Sequence, residues 1–334
     1  MSSRRPRLSV EDHVRGILAG DRAVLARAIT LVESNHPRHR AMAQEVLLGV
    51  LPHSGGAQRV GITGVPGVGK STFIEALGHR LVEAGHRLAV LAIDPTSTVT
   101  GGSILGDKTR MGRLSTHPAA FVRPSPTRGS LGGVHQRTRE TLLLCEAAGF
   151  DVVFVETVGV GQSETTVVDM VDSYLVLMLA GAGDELQGIK RGILELAEIL
   201  VIHKADGDNR DAALRARREY LGALRFMKPT HPGWRTPVLT CSSYTGEGIE
   251  AVWEAVGEHR SRLIEDGALS RRRQEQARRW MWTLVEEAVL RDLRENPAVV
   301  RAAGDLEKAV VEGTTTATRA AQSLLKTFEA ARDR

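Results

Sequence analysis

Eight residues, Gly64-Val65-Pro66-Gly67-Val68-Gly69-Lys70-Ser71, carry the sharpest chemical signal in this chain. They fill every fixed position of G-x-x-x-x-G-K-[ST], a loop that cradles phosphates. Its glycines let successive backbone N–H groups turn inward around phosphate oxygens, and a helix opening behind the loop adds the positive end of its dipole. Lys70 is placed to reach the β- and γ-phosphates of a nucleotide. The Ser71 hydroxyl is placed to ligate Mg2+, and Thr72 completes the phosphate-binding run.

Hydrolysing such a nucleotide requires a metal across the β- and γ-phosphates, a positioned water and compensation for developing charge. Asp94 and Glu156 are the carboxylates expected to hold Mg2+ with Ser71, directly or through its waters. Asp94 also opens an Asp-Pro turn, a structural use that competes with the metal. Asp107, in a glycine-rich stretch, is placed to orient or deprotonate the attacking water; a helix cap or turn is its structural alternative. Base identity falls to Lys204 and Asp206. The lysine stem can cover a base, and a carboxylate can accept from both the N1–H and the exocyclic amine of guanine. GTPases commonly present Asn-Lys-x-Asp after a strand, and here His203 stands at the Asn position. The expected ligand is GTP or GDP.

These residues lie far apart in sequence and need a scaffold that gathers them. Arg59–Thr63 is a short β-branched strand before the phosphate loop, and Phe73, Leu77 and Leu81 mark a helix after it. From there strands at 87–93, 119–122, 151–155, 173–179, 199–202 and 237–240 alternate with helical stretches. Such alternation predicts an α/β fold, a P-loop NTPase with a mostly parallel central sheet flanked by helices. The phosphate loop, Asp94, Glu156, Lys204/Asp206 and Ser242 each follow the carboxyl end of a strand, the edge where open α/β sheets bind ligands. Residues 95–118 form a long Gly/Ser/Thr-rich passage, expected to be functional or disordered, and 181–190 form a further loop. Helical extensions flank this domain. We expect an N-terminal helical extension at 1–55, a GTPase domain at 56–266 and a C-terminal helical region at 267–334. The apolar stripe of the last region, with Trp280 and Trp282, either packs on the domain or forms a dimer surface.

Composition narrows the rest. The net charge of +4 is not gathered into a block, and aromatic residues make up only 4% of the 334-residue chain, so stacking on nucleic acid is unsupported. No run approaches the roughly 20 apolar residues of a membrane span. Cys145 and Cys241 sit apart in apolar runs, as buried free thiols in a reducing compartment would. The expected location is cytoplasmic. His36, His39 and His53 are expected on solvated surface rather than at a metal.

Several strings are more specific than the phosphate loop alone: Asp94-Pro95, Gly101–Met111, Arg128–Gly133, Glu156–Glu164, Gly183–Lys190 and Trp280-Met281-Trp282. Together with Ser71-Thr72 they resemble the MeaB/ArgK family of GTPases, which includes the methylmalonic aciduria type A protein, over most of residues 10–295. The resemblance implies a dimeric G-protein chaperone of a coenzyme-B12-dependent acyl-CoA mutase, typically methylmalonyl-CoA mutase. Such proteins gate cofactor loading and protect the mutase. An adenosyltransferase is a further candidate partner. Carried over by position, Ser71, Asp94 and Glu156 fall on the Mg2+ site and Asp107 on the water-activating carboxylate. Gln187 and Lys190 fall on a further catalytic switch that answers to the client. Ser242, Ser243 and Tyr244 fall on the guanine-side loop, and the C-terminal helices on a homodimer interface. Two alternatives stand beside this reading. A nickel-insertion GTPase calls for a His- or Cys-rich tract that the chain lacks, and an amino-acid transport ATPase or kinase has no export or membrane signal in its favour.

Overall fold

A computed structural model describes residues 8–34, 36–93, 111–124, 131–157, 164–181 and 191–332. Among these, seven strands form one sheet in the order β3-β2-β4-β1-β5-β6-β7, and every neighbouring pair is parallel. The strands are β1 (Gln58–Gly64), β2 (Leu88–Ile93), β3 (Ala120–Pro124), β4 (Val152–Thr157), β5 (Ser173–Leu179), β6 (Ile199–His203) and β7 (Val238–Thr240). A parallel sheet covered on both faces calls for continuous apolar strands rather than alternating ones. Leu88–Ile93 and Val152–Thr157 meet that demand, buried at every position.

The pleat sends successive side chains to opposite cores. Ala89, Leu91 and Ile93 join one core with Ile17, Leu25 and Ile29 from the N-terminal helices Val10–Leu18 and Arg22–Val32. Leu88 and Val90 face the other, with Phe73, Ile74 and Leu77 of the helix Lys70–Glu83 and Ile249 and Val252 of the helix Ile249–Glu265. The predicted doubly covered parallel sheet is therefore present. The first N-terminal helix is closed by a reciprocal cap, Asp12 N donating to Ser9 Oγ and Ser9 N to Asp12 Oδ2, both at 3.1 Å. Asp21 caps the second.

β1 sits between β4 and β5, with Ile62 opposite Glu156 on one side and Thr63 opposite Val176 on the other. Strands β2 and β3 lie beyond β4, and β6 and β7 beyond β5. Connections leaving β1 and its neighbours diverge to opposite sides, which opens a crevice at their carboxyl ends.

The opposite edge is closed by buried charge. Asp172, just before β5, takes a two-pronged pair from Arg273, Nε to Oδ1 at 2.8 Å and Nη2 to Oδ2 at 2.6 Å, and also accepts Arg59 N at 2.9 Å. Glu198, just before β6, accepts Tyr174 N at 2.7 Å and pairs with Arg272 Nη1 at 2.6 Å. Arg273 donates as well to the carbonyls of Gly55 and Ala57.

The chain divides into two compact units, Met1–Arg273 and Gln274–Arg334. The helix Ala268–Glu295 runs across that division, and the second unit continues with helices Pro297–Val311 and Ala317–Arg332. Within it, Asn296 Oδ1 caps the middle helix by accepting Ala298 N at 2.9 Å.

Candidate nucleotide site

The phosphate loop leaves β1 at Gly64, and the following helix opens at Lys70, so Lys70 and Ser71 both lie in its first turn. Two glycines are required by geometry. A Cβ on Gly64 would stand 2.4 Å from Leu177 O on the neighbouring strand. Gly69 has φ +95°, and a Cβ there would meet His203 Cε1 at 2.9 Å. Only glycine lets the loop coil tightly between β5 and β6.

Lys70 is 9% exposed, and its Nζ donates to Gly64 O at 2.8 Å and Val65 O at 3.3 Å. The ammonium is thus held over the mouth of its own loop. Ser71 Oγ donates to Glu156 Oε1 at 3.1 Å, joining the helix start to the end of β4. A hydroxyl and a carboxylate oxygen converging at the loop are hard donors, and they suit Mg2+. One residue on, Thr157 Oγ1 donates to Thr63 Oγ1 at 2.7 Å between fully buried side chains, pinning the ends of β4 and β1 together.

The base side is built at the ends of β6 and β7. Lys204 takes the left-handed conformation, φ +58°, and its Nζ donates to Gly67 O at 2.9 Å. Its stem therefore lies beside the phosphate loop. Asn209 Nδ2 donates to Lys204 O at 2.7 Å, and Asn209 N donates to Asp206 O at 3.1 Å, which fixes the turn carrying Asp206. Ser242 is buried and organises the facing loop: its Oγ accepts Tyr244 N and Thr245 N, both at 3.2 Å, and its carbonyl accepts Gly246 N at 2.9 Å. Tyr244 projects outward, 92% exposed. Arg80 Nη2 donates to Gly246 O at 2.9 Å, tying this loop to the helix that follows the phosphate loop. Behind the loop lies a cavity of about 80 Å³ lined by Ala205, Arg210, Thr240, Cys241 and Glu247 among others. Burial pushes the Cys241 thiol up to about 12 and that of Cys145 higher still, so both are protonated thiols within the core.

Of the residues expected from sequence, the fold gathers the phosphate loop Gly64–Thr72, Glu156, Lys204, Asp206 and Ser242–Tyr244 at one edge of the sheet. Asp94, Asp107, Gln187 and Lys190 lie outside the described residues. Two contributors were not anticipated. His203, noted in the sequence only as a departure at an Asn position, is buried between Val68 O and Ser243 Oγ. Glu75, one turn beyond Ser71, accepts Arg113 N at 3.0 Å and Leu114 N at 3.2 Å. It caps the short helix Gly112–Thr116. No local pattern marks Glu75; its partners are 38 and 39 residues away.

Known proteins resemble the chain over most of its length. A family model described as Methylmalonyl Co-A mutase-associated GTPase MeaB matches residues 25–298. A probable GTPase of Mycobacterium tuberculosis is 55% identical over 95% of each chain. The methylmalonic aciduria type A homolog, mitochondrial, of Mus musculus is 46% identical over 94% of this chain and 78% of its own length. Among solved structures, one described as an LAO/AO transport system kinase superposes with a TM-score of 0.79 at 39% identity, covering 98% of this chain and all of its own.

Proposed function

Because the chain belongs to the MeaB family of methylmalonyl Co-A mutase-associated GTPases, we propose that its GTP hydrolysis drives a G-protein chaperone for a coenzyme-B12-dependent acyl-CoA mutase, above all methylmalonyl-CoA mutase. In this reading it gates cofactor loading and protects the mutase, and it acts as a homodimer. An adenosyltransferase is a candidate third partner. The observation that carries the nucleotide part is the meeting of Ser71 and Glu156 at 3.1 Å beside the phosphate loop, with Lys204 bonded across it to Gly67 O.

Each residue then has a defined task. The backbone N–H groups of Gly64–Thr72, Pro66 excepted, grip the β-phosphate, and Lys70 swings from its own loop carbonyls to the β- and γ-phosphate oxygens. Ser71 and Glu156, with Asp94, would hold Mg2+, whose charge offsets the negative charge that grows on the phosphates during transfer. Asp107 orients the attacking water, and Gln187 and Lys190 respond to the client. Lys204 covers one face of the base, Asp206 accepts from guanine N1–H and the exocyclic amine, and Ser242–Tyr244 close the other side.

The test is phosphate release by the purified protein, alone and with a B12-dependent acyl-CoA mutase from the same source, with ATP in parallel. The expected result is turnover of GTP over ATP, raised by the mutase. A mutase that leaves both turnover and nucleotide affinity unchanged would overturn the chaperone reading. Preference for ATP would overturn the assignment of Asp206.

A further inference from the structure

A nucleotide must touch two loops at once, and His203 stands between them. Its imidazole is 2% exposed at the end of β6. Nδ1 lies 2.6 Å from Val68 O in the phosphate loop. A carbonyl only accepts, so Nδ1 carries the proton. In the neutral ring Nε2 is then an acceptor, and the Ser243 hydroxyl, at 2.7 Å, donates to it from the base-side loop. Burial, with the Lys204 ammonium nearby, holds the His203 pKa below its ordinary value against the pull of Asp206. The Phe73 ring meets the imidazole edge-on with centroids 6.0 Å apart. The space beside Gly69 is filled by the His203 imidazole.

We propose that His203 is a positioning residue for base selection: a two-ended brace that locks the loops of Asp206 and Ser243 to the phosphate loop. Guanine is then read in register with phosphates seated over Val68. The proposal rests on reading the site as one for guanine nucleotides. Its geometry makes the two ends separable. An asparagine amide can take the place of Nδ1 but falls short of Ser243; a glutamine amide reaches the Nε2 position and misses Val68.

The test measures Mg-GDP and Mg-ADP affinities for the full chain and for His203→Asn, His203→Gln, Ser243→Ala and the His203→Asn/Ser243→Ala double variant. We expect each single variant to bind GDP about tenfold more weakly while ADP binding stays constant, so the GDP-to-ADP ratio falls with GDP affinity. The double variant should bind GDP no worse than His203→Asn alone, because both changes cut the same end of the brace. A loosened fold would weaken both nucleotides together, and that result overturns the proposal. So does an unchanged ratio in Ser243→Ala, a small change on a loop that stays testable even if His203 variants fail to fold. A wild-type protein that binds GDP and ADP alike overturns the guanine reading itself, and the brace with it.

Discussion

At the scale of single residues, the phosphate loop is legible because its chemistry is local. Backbone curvature, the lysine and the hydroxyl proposed for the metal follow one another within Gly64–Ser71, and the pattern names them without knowledge of the fold. His203 works across a separation of 135 residues to Val68, so sequence could mark it as unusual but not say what it holds. Changes within the loop should therefore act at once on turnover. Lys70→Ala and Ser71→Ala are each expected to lower GTP hydrolysis by about a hundredfold or more, the loss typical of removing one charge-stabilising group from a preorganised site. Excess Mg2+ should recover part of the Ser71→Ala loss and none of the Lys70→Ala loss; phosphate-release assays across a Mg2+ titration distinguish the two. Gly69→Ala presses a Cβ to 2.9 Å from His203 Cε1 at φ +95°. It should cost about 1–3 kcal/mol of stability through strain. GDP binding should weaken along with the displaced brace, as calorimetry of the same variant would report.

At the scale of elements, the strands were legible as apolar runs, and six of the seven positions of β5 are fully enclosed. Less legible was the edge away from the nucleotide. Arg271-Arg272-Arg273 is a run of charge in the sequence, yet Arg272 and Arg273 turn onto buried Glu198 and Asp172. Where these arginines point is decided by buried carboxylates that the chain supplies some 75 to 100 residues earlier, so no periodicity reveals it. His259 completes this cluster, fully buried, with Nδ1 2.8 Å from Ser173 Oγ and Nε2 3.6 Å from Glu198 Oε1. Burial, reinforced by Arg272, pulls its pKa down to about 3. The unfolded chain then binds a proton that the folded one refuses between about pH 6.5 and 3. Stability from His259 is full above that window and is lost as the pH falls through it, at up to about 1.4 kcal/mol per unit. Glu198 acts with the opposite sign, since burial raises its pKa and the folded state keeps its proton as the pH climbs past 4.5. His259→Gln should flatten the fall in unfolding free energy below pH 6.5 by about one proton, measured by urea denaturation at a series of pH values. A slope identical to that of the wild type would show that His259 is not the group being protonated. Asp172→Asn leaves the half-buried Arg273 against a neutral partner, and a loss of about 1.5–3 kcal/mol is expected in the same experiment.

At the scale of the whole molecule, the helix Ala268–Glu295 poses a physical problem that the chain alone does not solve. Its sequence carries an apolar stripe at helical spacing, yet Met281, Trp282, Val285, Val289 and Leu290 remain exposed, Trp282 by 57%. The stripe was plain in sequence; which surface covers it was not, because a pattern fixes which face is apolar and not what meets it. Large apolar faces rimmed by charge are uncommon on monomers. Residues 281, 285 and 289 lie one above another, so a second copy of the same helix can interleave with them. The homodimer proposed above thus has a definite test. Trp282→Glu should shift the protein from dimer to monomer in sedimentation equilibrium, because a charge at the centre of such a contact would be buried without a partner. Basal GTP turnover should stay within about twofold, since Trp282 belongs to the Gln274–Arg334 unit and the described residues of the candidate nucleotide site to the other. A wild-type protein that sediments as a monomer would turn the stripe into a surface for a different partner. Raised mutase-dependent turnover by Trp282→Glu would argue that self-association and client compete for one face.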